Sequence, residues 1–176
     1  IKASLERNTK MILITAGMVG GTGTGAAPII AKQAKELGIL TIAIVTIPFS
    51  CEGKKRVEQA MAGVDELSEY VDALLIICNE KLRDMYGDLK ISSAFEQADN
   101  ILTIAAKSIA EIITLKGYVN VDFADVEVVM RNSGVALMGA GTANGENRAL
   151  EAVKEALESP LLNSNDIRGA SNILLN

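Results

Sequence analysis

Residues 20–25 read Gly-Gly-Thr-Gly-Thr-Gly and have the composition of a phosphate-binding turn. They follow an apolar run at 11–14 and precede residues with helical spacing, so they join a strand to a helix. Backbone N–H groups and the positive dipole end at a helix N-terminus favour an anion, and glycines let it approach closely. Pro28 predicts the first helical turn nearby. From the residues alone, a glycine-rich turn packed against a sheet remains the alternative.

Two common nucleotide motifs do not fit this segment. A Walker A motif requires a lysine where Ala26 stands, and Gly21, Gly23 and Gly25 give G-x-G-x-G rather than the dinucleotide spacing G-x-G-x-x-G. A nicotinamide-dependent oxidoreductase would also carry an acidic residue at the end of the second strand, where Ile47 and Pro48 stand. Neither motif fits, which argues against both classes without closing the second.

A second candidate site is the carboxylate pair Asp122 and Asp125. Asp122 is placed to cap the following helix, and Asp125 adds a favourable charge to its first turn. The pair also follows a long predicted helix, so it lies far from the glycines of its own subunit. From the residues alone a helix cap is the favoured interpretation, and the alternative is a catalytic pair that reaches the phosphates of another subunit by head-to-tail stacking.

Composition excludes several other classes. The 176 residues are 49% hydrophobic and carry a net charge of −5, no histidine and two cysteines. This predicts a folded core, no histidine chemistry and no nucleic-acid partner. No apolar run is long enough to span a bilayer, so we expect no membrane insertion and a reduced, cytoplasmic location. The basic cluster at 54–56 opposes a helix dipole, which indicates either a solvated cluster or an anionic ligand near Glu52 and Arg56.

The predicted fold class is α/β with a parallel sheet. We expect buried strands at 11–15, 40–47 and 71–77 and helices at 26–37, 53–70 and 92–116. Gly38 ends the first helix as a left-handed cap, Ser93 and Glu96 form a capping box, and Gly117 ends the third helix. A helix to about 132, a strand at 134–141, a helix at 147–158 and a strand from 173 follow.

The motifs together resemble the tubulin/FtsZ family of GTPases, and within it the bacterial cell-division proteins. They are Thr-Gly-Thr-Gly-Ala-Ala-Pro, Glu-Gly-Lys-Lys-Arg, Asn-Val-Asp-Phe-Ala-Asp-Val and Ser-Pro-Leu-Leu, in family order across nearly the whole chain. The resemblance implies a tubulin-like, Rossmann-type GTP-binding domain over 1–91, a central helix over 92–117, and the Asp loop with the start of a second α/β domain over 118–176. Val19, Cys51 and Cys78 depart from the family pattern.

The resemblance also implies residue roles. The phosphates of GTP or GDP, with Mg²⁺, would lie on the glycine turn, and Glu52 and Arg56 would lie near the ribose and phosphates. Asn79, Phe95 and Asp99 would contact guanine. The Asp99 carboxylate can accept hydrogen bonds from the N1–H and the amino group of guanine, and adenine offers no matching pair of donors. For Phe95 the alternative is core packing. The turn comprises Gly20, Gly21, Thr22, Gly23, Thr24 and Gly25, and the catalytic loop of the next subunit would supply Asn120, Asp122 and Asp125.

The resemblance further implies a protein that hydrolyses GTP and assembles head to tail into filaments at the division site. Such a protein would also bind other division-ring proteins. We expect a first strand and earlier phosphate loops to precede residue 1, and the second sheet to be completed beyond residue 176. The 176-residue chain alone is therefore expected to bind GTP weakly and to be inactive. A non-hydrolysing scaffold or filament protein is the alternative, although such a protein would lack the Asp pair.

Overall fold

The computed structural model describes residues 5, 8–86, 90–115, 121–159 and 169–175, without the side chains of 83–86 and 91. Its strands are β1 (Met11–Gly17), β2 (Leu40–Ile47), β3 (Ala73–Cys78) and β4 (Gly134–Ala136). Its helices are α1 (Gly21–Glu36), α2 (Lys54–Ser68), α3 (Asn79–Tyr86), α4 (Ile91–Thr114), α5 (Phe123–Met130) and α6 (Arg148–Leu157), with a short 3-10 turn at Ser50–Glu52.

The strands form one parallel sheet in the order β1-β2-β3-β4, which confirms the α/β class. Gly17 lies opposite Thr46 and Ile47 opposite Cys78, so the first three strands end at a common edge. We call this the carboxyl edge, and we call the edge at which the same strands begin the amino edge. The three buried strands predicted at 11–15, 40–47 and 71–77 do not complete this sheet, because β4 pairs with β3 as a fourth strand.

Helices cover both faces of the sheet, and the strand side chains alternate between them. Ile42 and Ile44 of β2 pack under α4, whereas Ala43 and Val45 pack under α1 and α2. Both strand faces are apolar, as expected of a parallel strand covered on two sides. The helices on these faces thus position the loops at the two edges.

Several helix boundaries differ from the prediction. Helix α1 begins at Gly21 rather than 26, because Gly20 is an extended N-cap whose carbonyl accepts the Thr24 N–H at 3.2 Å. Pro28 therefore lies inside α1, not in its first turn. The left-handed cap at Gly38 is confirmed by its φ of 70°.

Farther along the chain, α3 was not predicted at all. Helix α4 begins at Ile91 with Lys90 as N-cap and no side-chain cap, so the predicted Ser93 capping box is wrong. Strand β4 spans three residues rather than 134–141, and residues 173–175 form no strand. Gly117 and Asn120 lie outside the described residues.

Candidate functional site

The glycine turn (Gly20–Gly25) lies at the carboxyl edge, between β1 and α1. The Thr24 hydroxyl donates to the Gly20 carbonyl at 2.8 Å and fixes the entry into the helix. The first N–H groups of a helix have no intrahelical acceptor, and the first turn of α1 contains no acidic side chain. The positive end of α1 is therefore available to an external anion.

The turn is tight on its inner side and open on its outer side. A Cβ added at Gly23 would lie 2.2 Å from the carbonyl oxygen of Gly17, whereas Cβ atoms at Gly20, Gly21 or Gly25 would meet nothing within 4 Å. Glycine at 23 thus lets the helix start against the end of β1. The open side leaves room for phosphate oxygens next to backbone donors, so this donor set fits a nucleotide phosphate.

The loop after β2 places Glu52 next to Arg56, which lies in the first turn of α2. Glu52 Oε2 lies 3.3 Å from Arg56 Nη1, and Glu52 Oε1 accepts the Phe49 N–H at 3.0 Å. The Glu52 side chain is 9% exposed and that of Arg56 56% exposed. The carboxylate is therefore fixed inside the loop, while the guanidinium reaches solvent near the N-terminus of α2.

Asn79 follows β3 at the same edge and is 3% exposed. Its Oδ1 has no hydrogen-bond partner in the described part of the chain. A buried amide oxygen without a donor is costly, so it fits a ligand that brings one. Asn79 is thus a polar group suited to a nucleobase or ribose donor.

Phe95 and Asp99 lie one turn apart on α4. The Phe95 ring meets Phe49 edge-on at 5.3 Å between centroids, which brings the start of α4 to the loop after β2. Phe95 remains 40% exposed, so its ring packs on protein on one side only, and its predicted contact with guanine stays a prediction. Asp99 is exposed on the next turn.

Asp122 and Asp125 form a reciprocal capping box at the start of α5. Asp122 Oδ1 accepts the Asp125 N–H at 3.1 Å, and Asp125 Oδ2 accepts the Asp122 N–H at 3.2 Å. Both residues are exposed. The capping role is confirmed, and each carboxylate keeps lone pairs for another donor such as water.

The Asp pair lies at the amino edge. The Lys10 Nζ, just before β1, lies 5.7 Å from the ring centroid of Phe123, which follows Asp122. The glycine turn follows the other end of β1. A seven-residue strand rises about 20 Å, so the structure does not bring the two predicted sites together within one chain.

A side-chain network that the sequence analysis missed holds α5 at this edge. Buried Asp72 accepts the N–H groups of Thr41 at 2.9 Å and Asn132 at 3.3 Å. Arg131, the C-cap of α5, lies 3.9 Å from Asp72, donates to the Gly38 carbonyl at 3.3 Å and pairs with Glu127. The only local signal was a lone Asp before an apolar strand.

At the carboxyl edge, Phe49 and Glu80 were not predicted as site residues. The carboxylate of Glu80 accepts the Ser50 N–H at 2.8 Å and links the loop after β2 to α3. Cys51 is exposed and Cys78 half-buried, and both are free thiols. No group of three or more acidic or cysteine residues suited to a metal occurs within the described ranges. None of the described helices has the length and apolar content needed to cross a membrane.

Comparisons with known proteins identify the family. The model of the Tubulin/FtsZ family GTPase domain matches residues 1–87, and that of the FtsZ family C-terminal domain matches residues 134–176. The cell division protein FtsZ of Porphyromonas gingivalis is 52% identical over 97% of this chain and 37% of its own length; that of Coxiella burnetii is 53% identical over 100% and 46%. The chain thus spans less than half of these relatives.

Solved structures agree with the sequence comparisons. The structure titled an empty FtsZ dimer from M. jannaschii is 47% identical and has a TM-score of 0.85. The alignment covers 92% of this chain and 47% of that one. This chain therefore belongs to the tubulin/FtsZ family.

Proposed function

We propose that this chain belongs to a GTP-hydrolysing protein that polymerises head to tail into the filaments of the bacterial division ring. Two neighbouring subunits share each hydrolysis site, and this chain carries residues of both halves of it. The observation that supports this proposal most strongly is the distance between the two sites. The glycine turn lies at the carboxyl edge of the sheet, and the Asp pair lies at the amino edge. One subunit cannot bring its own carboxylates to its own nucleotide. A heterologous contact between subunits joins the two edges and repeats without closure.

At the carboxyl edge, the first N–H groups of α1 bind the phosphates of GTP or GDP. Arg56 lies near the phosphates and ribose, held by Glu52. Asn79 supplies its unpaired Oδ1 to the guanine end, and Asp99 accepts the N1–H and amino group of guanine. The exposed side of Phe95 packs on the base. A bound Mg²⁺ supplies positive charge to the phosphate oxygens.

At the amino edge, Asp122 and Asp125 orient a water molecule for attack on the phosphoryl group of the neighbouring subunit's nucleotide. Asn120, two positions before Asp122 in the sequence, completes this set by the family resemblance. Their capping bonds use backbone N–H groups and leave carboxylate oxygens for the water. Positioned carboxylates of this kind typically contribute about 10²–10⁴-fold to a rate.

The test is phosphate release and light scattering of the whole protein with GTP, GDP or ATP. We expect light scattering and phosphate release to increase with GTP but not with GDP or ATP. Turnover per subunit should rise with protein concentration, because the site needs two subunits. Turnover independent of concentration would reject the shared site. GTP-dependent assembly without phosphate release would favour a non-hydrolysing scaffold.

The 176-residue chain by itself is still predicted to bind GTP weakly. A low-micromolar affinity in calorimetry would contradict that prediction.

A further inference from the structure

Gly63 of α2 lies directly behind the glycine turn. It is buried, and a Cβ added to it would lie 3.0 Å from Cγ2 and 3.2 Å from Cβ of Thr24. Favourable carbon–carbon contacts lie at about 3.5–4.0 Å. The methyl group of Thr24 therefore occupies the space in which any other residue at 63 would place its side chain.

Thr24 is in turn bound to the start of α1. Its hydroxyl and its N–H both donate to the Gly20 carbonyl, at 2.8 and 3.2 Å. Pro28 has no N–H for the Thr24 carbonyl, so the helix ladder lacks one bond just after this turn. A displacement of Thr24 is thus passed to Gly20 and to the N–H groups that follow it.

The remainder of the contact between α1 and α2 resists rearrangement. Ala31 and Ala60 are fully buried in a core cluster shared by the two helices. At their C-terminal ends, Lys35 Nζ donates to the Glu69 carbonyl at 2.7 Å. Close-packed interiors transmit strain rather than absorb it. A carbon atom added at Gly63 therefore displaces the free end of α1, which is the glycine turn.

We propose that Gly63 is a positioning residue for phosphate binding: its missing side chain sets how deeply Thr24 lies against α2 and thereby where the first N–H groups of α1 point. This inference rests on the proposed function, because it takes the nucleotide phosphates to bind at that turn.

The first experiment compares Gly63→Ala with the unchanged whole protein by GTP calorimetry and thermal unfolding. We expect GTP affinity to fall by about tenfold, since overpacking of this size disturbs a packed site, while Tm falls only slightly, because the preference of alanine over glycine in a helix interior offsets part of the overpacking cost. The matched control is Ala62→Gly, the exposed neighbour on α2. It should lower Tm and leave GTP affinity unchanged. A merely structural role for Gly63 would instead move Tm and affinity together.

The second experiment repeats Gly63→Ala in a Thr24→Ser background, which removes Cγ2 and keeps the hydroxyl. The loss of GTP affinity on Gly63→Ala should shrink there to less than about threefold. An equal loss in both backgrounds, or none in either while the unchanged protein binds GTP, rejects the inference. If Gly63→Ala alone does not fold, the double variant should fold and bind GTP, and its failure rejects the inference. An unchanged protein that does not bind GTP overturns the proposed function instead.

Discussion

The two edges of the sheet hold their groups by opposite means. At the carboxyl edge the proposed anion donors are backbone N–H groups, and we infer that their position depends on the absence of side chains at Gly23 and Gly63. At the amino edge the proposed functional atoms are carboxylate oxygens, and their position depends on side-chain hydrogen bonds within the capping box and around Asp72. Substitutions that add atoms should therefore disturb the first edge, and substitutions that remove side-chain atoms should disturb the second.

The difference follows from the chemistry assigned to each edge. Phosphate carries several charges over a small group of oxygens, so donors must approach it closely and any extra carbon blocks them. A carboxylate that orients water must point in one direction, and a short exposed side chain keeps a direction only if its backbone is fixed. The network of Arg131 and Asp72 fixes that backbone at the end of α5 opposite the Asp pair.

The largest expected effect is the loss of turnover on Asp122→Asn or Asp125→Asn. Asparagine caps helices as well as aspartate does, so Tm should change little, while phosphate release falls by about 10²-fold or more because the charge is lost. GTP binding by the monomer should remain near normal, since neither side chain touches its own nucleotide. Asp122→Ala, which also removes the cap, should in addition lower the unfolding free energy by about 1 kcal/mol. Normal turnover in the asparagine variants would reduce the pair to a helix cap.

The second effect is at Gly23. Its Cβ would lie 2.2 Å from the Gly17 carbonyl oxygen, so Gly23→Ala should cost about 1–3 kcal/mol of unfolding free energy and also weaken GTP binding. Gly21→Ala meets no atom within 4 Å and should change the unfolding free energy by less than about 0.5 kcal/mol. Urea denaturation of both variants makes the comparison, and equal stability losses would contradict the close approach of the turn to β1.

The third effect is on base selectivity. Asp99→Asn presents a donor to one of the two guanine donors and should cost about 1–3 kcal/mol of GTP binding. The preference for GTP over ATP should shrink accordingly in a competition assay. Glu96→Gln removes the same charge from an exposed position one turn earlier and serves as the control. Unchanged selectivity in Asp99→Asn would mean that guanine is read elsewhere.

The smallest effect is on the anchor of α5. Arg131→Met removes the contacts with Asp72 and the Gly38 carbonyl and should lower the unfolding free energy by about 1 kcal/mol. Lys107→Met breaks an exposed pair with Glu111, 68% and 41% exposed, and should cost less than about 0.5 kcal/mol. Equal values in urea denaturation would show that Arg131 contributes no more than a surface pair.

Local signals predicted the parts of the fold that local chemistry determines. Strand β2 matches its prediction residue for residue, because its β-branched run is bounded by Gly38 and Pro48. The start of α1 was missed because four glycines in six residues indicate a loop by propensity. There the bond from the Thr24 hydroxyl to Gly20 and the close approach to Gly17 override that preference.

Long-range contacts explain the other misses. The pairing of β4 with β3 depends on the Gly134 N–H reaching the Asp72 carbonyl, 62 positions away along the chain, and no local pattern announces it. The Asp pair was predicted as both cap and catalytic group, and the structure tests only the cap. The division of the chain at 91 and 117 and the residue roles taken from the resemblance stay predictions.

The most direct test of the central claim mixes two inactive variants of the whole protein. One carries Asp122→Asn and binds GTP; the other carries Gly23→Ala, which weakens GTP binding at its own glycine turn but leaves its Asp pair intact, and the GTP concentration is set so low that this variant alone shows no turnover. In a mixed filament, the second variant places its carboxylates on nucleotide held by the first, so phosphate release should return to a measurable fraction of the unchanged rate. A mixture that forms co-filaments yet stays as inactive as its two components would contradict a hydrolysis site shared between subunits.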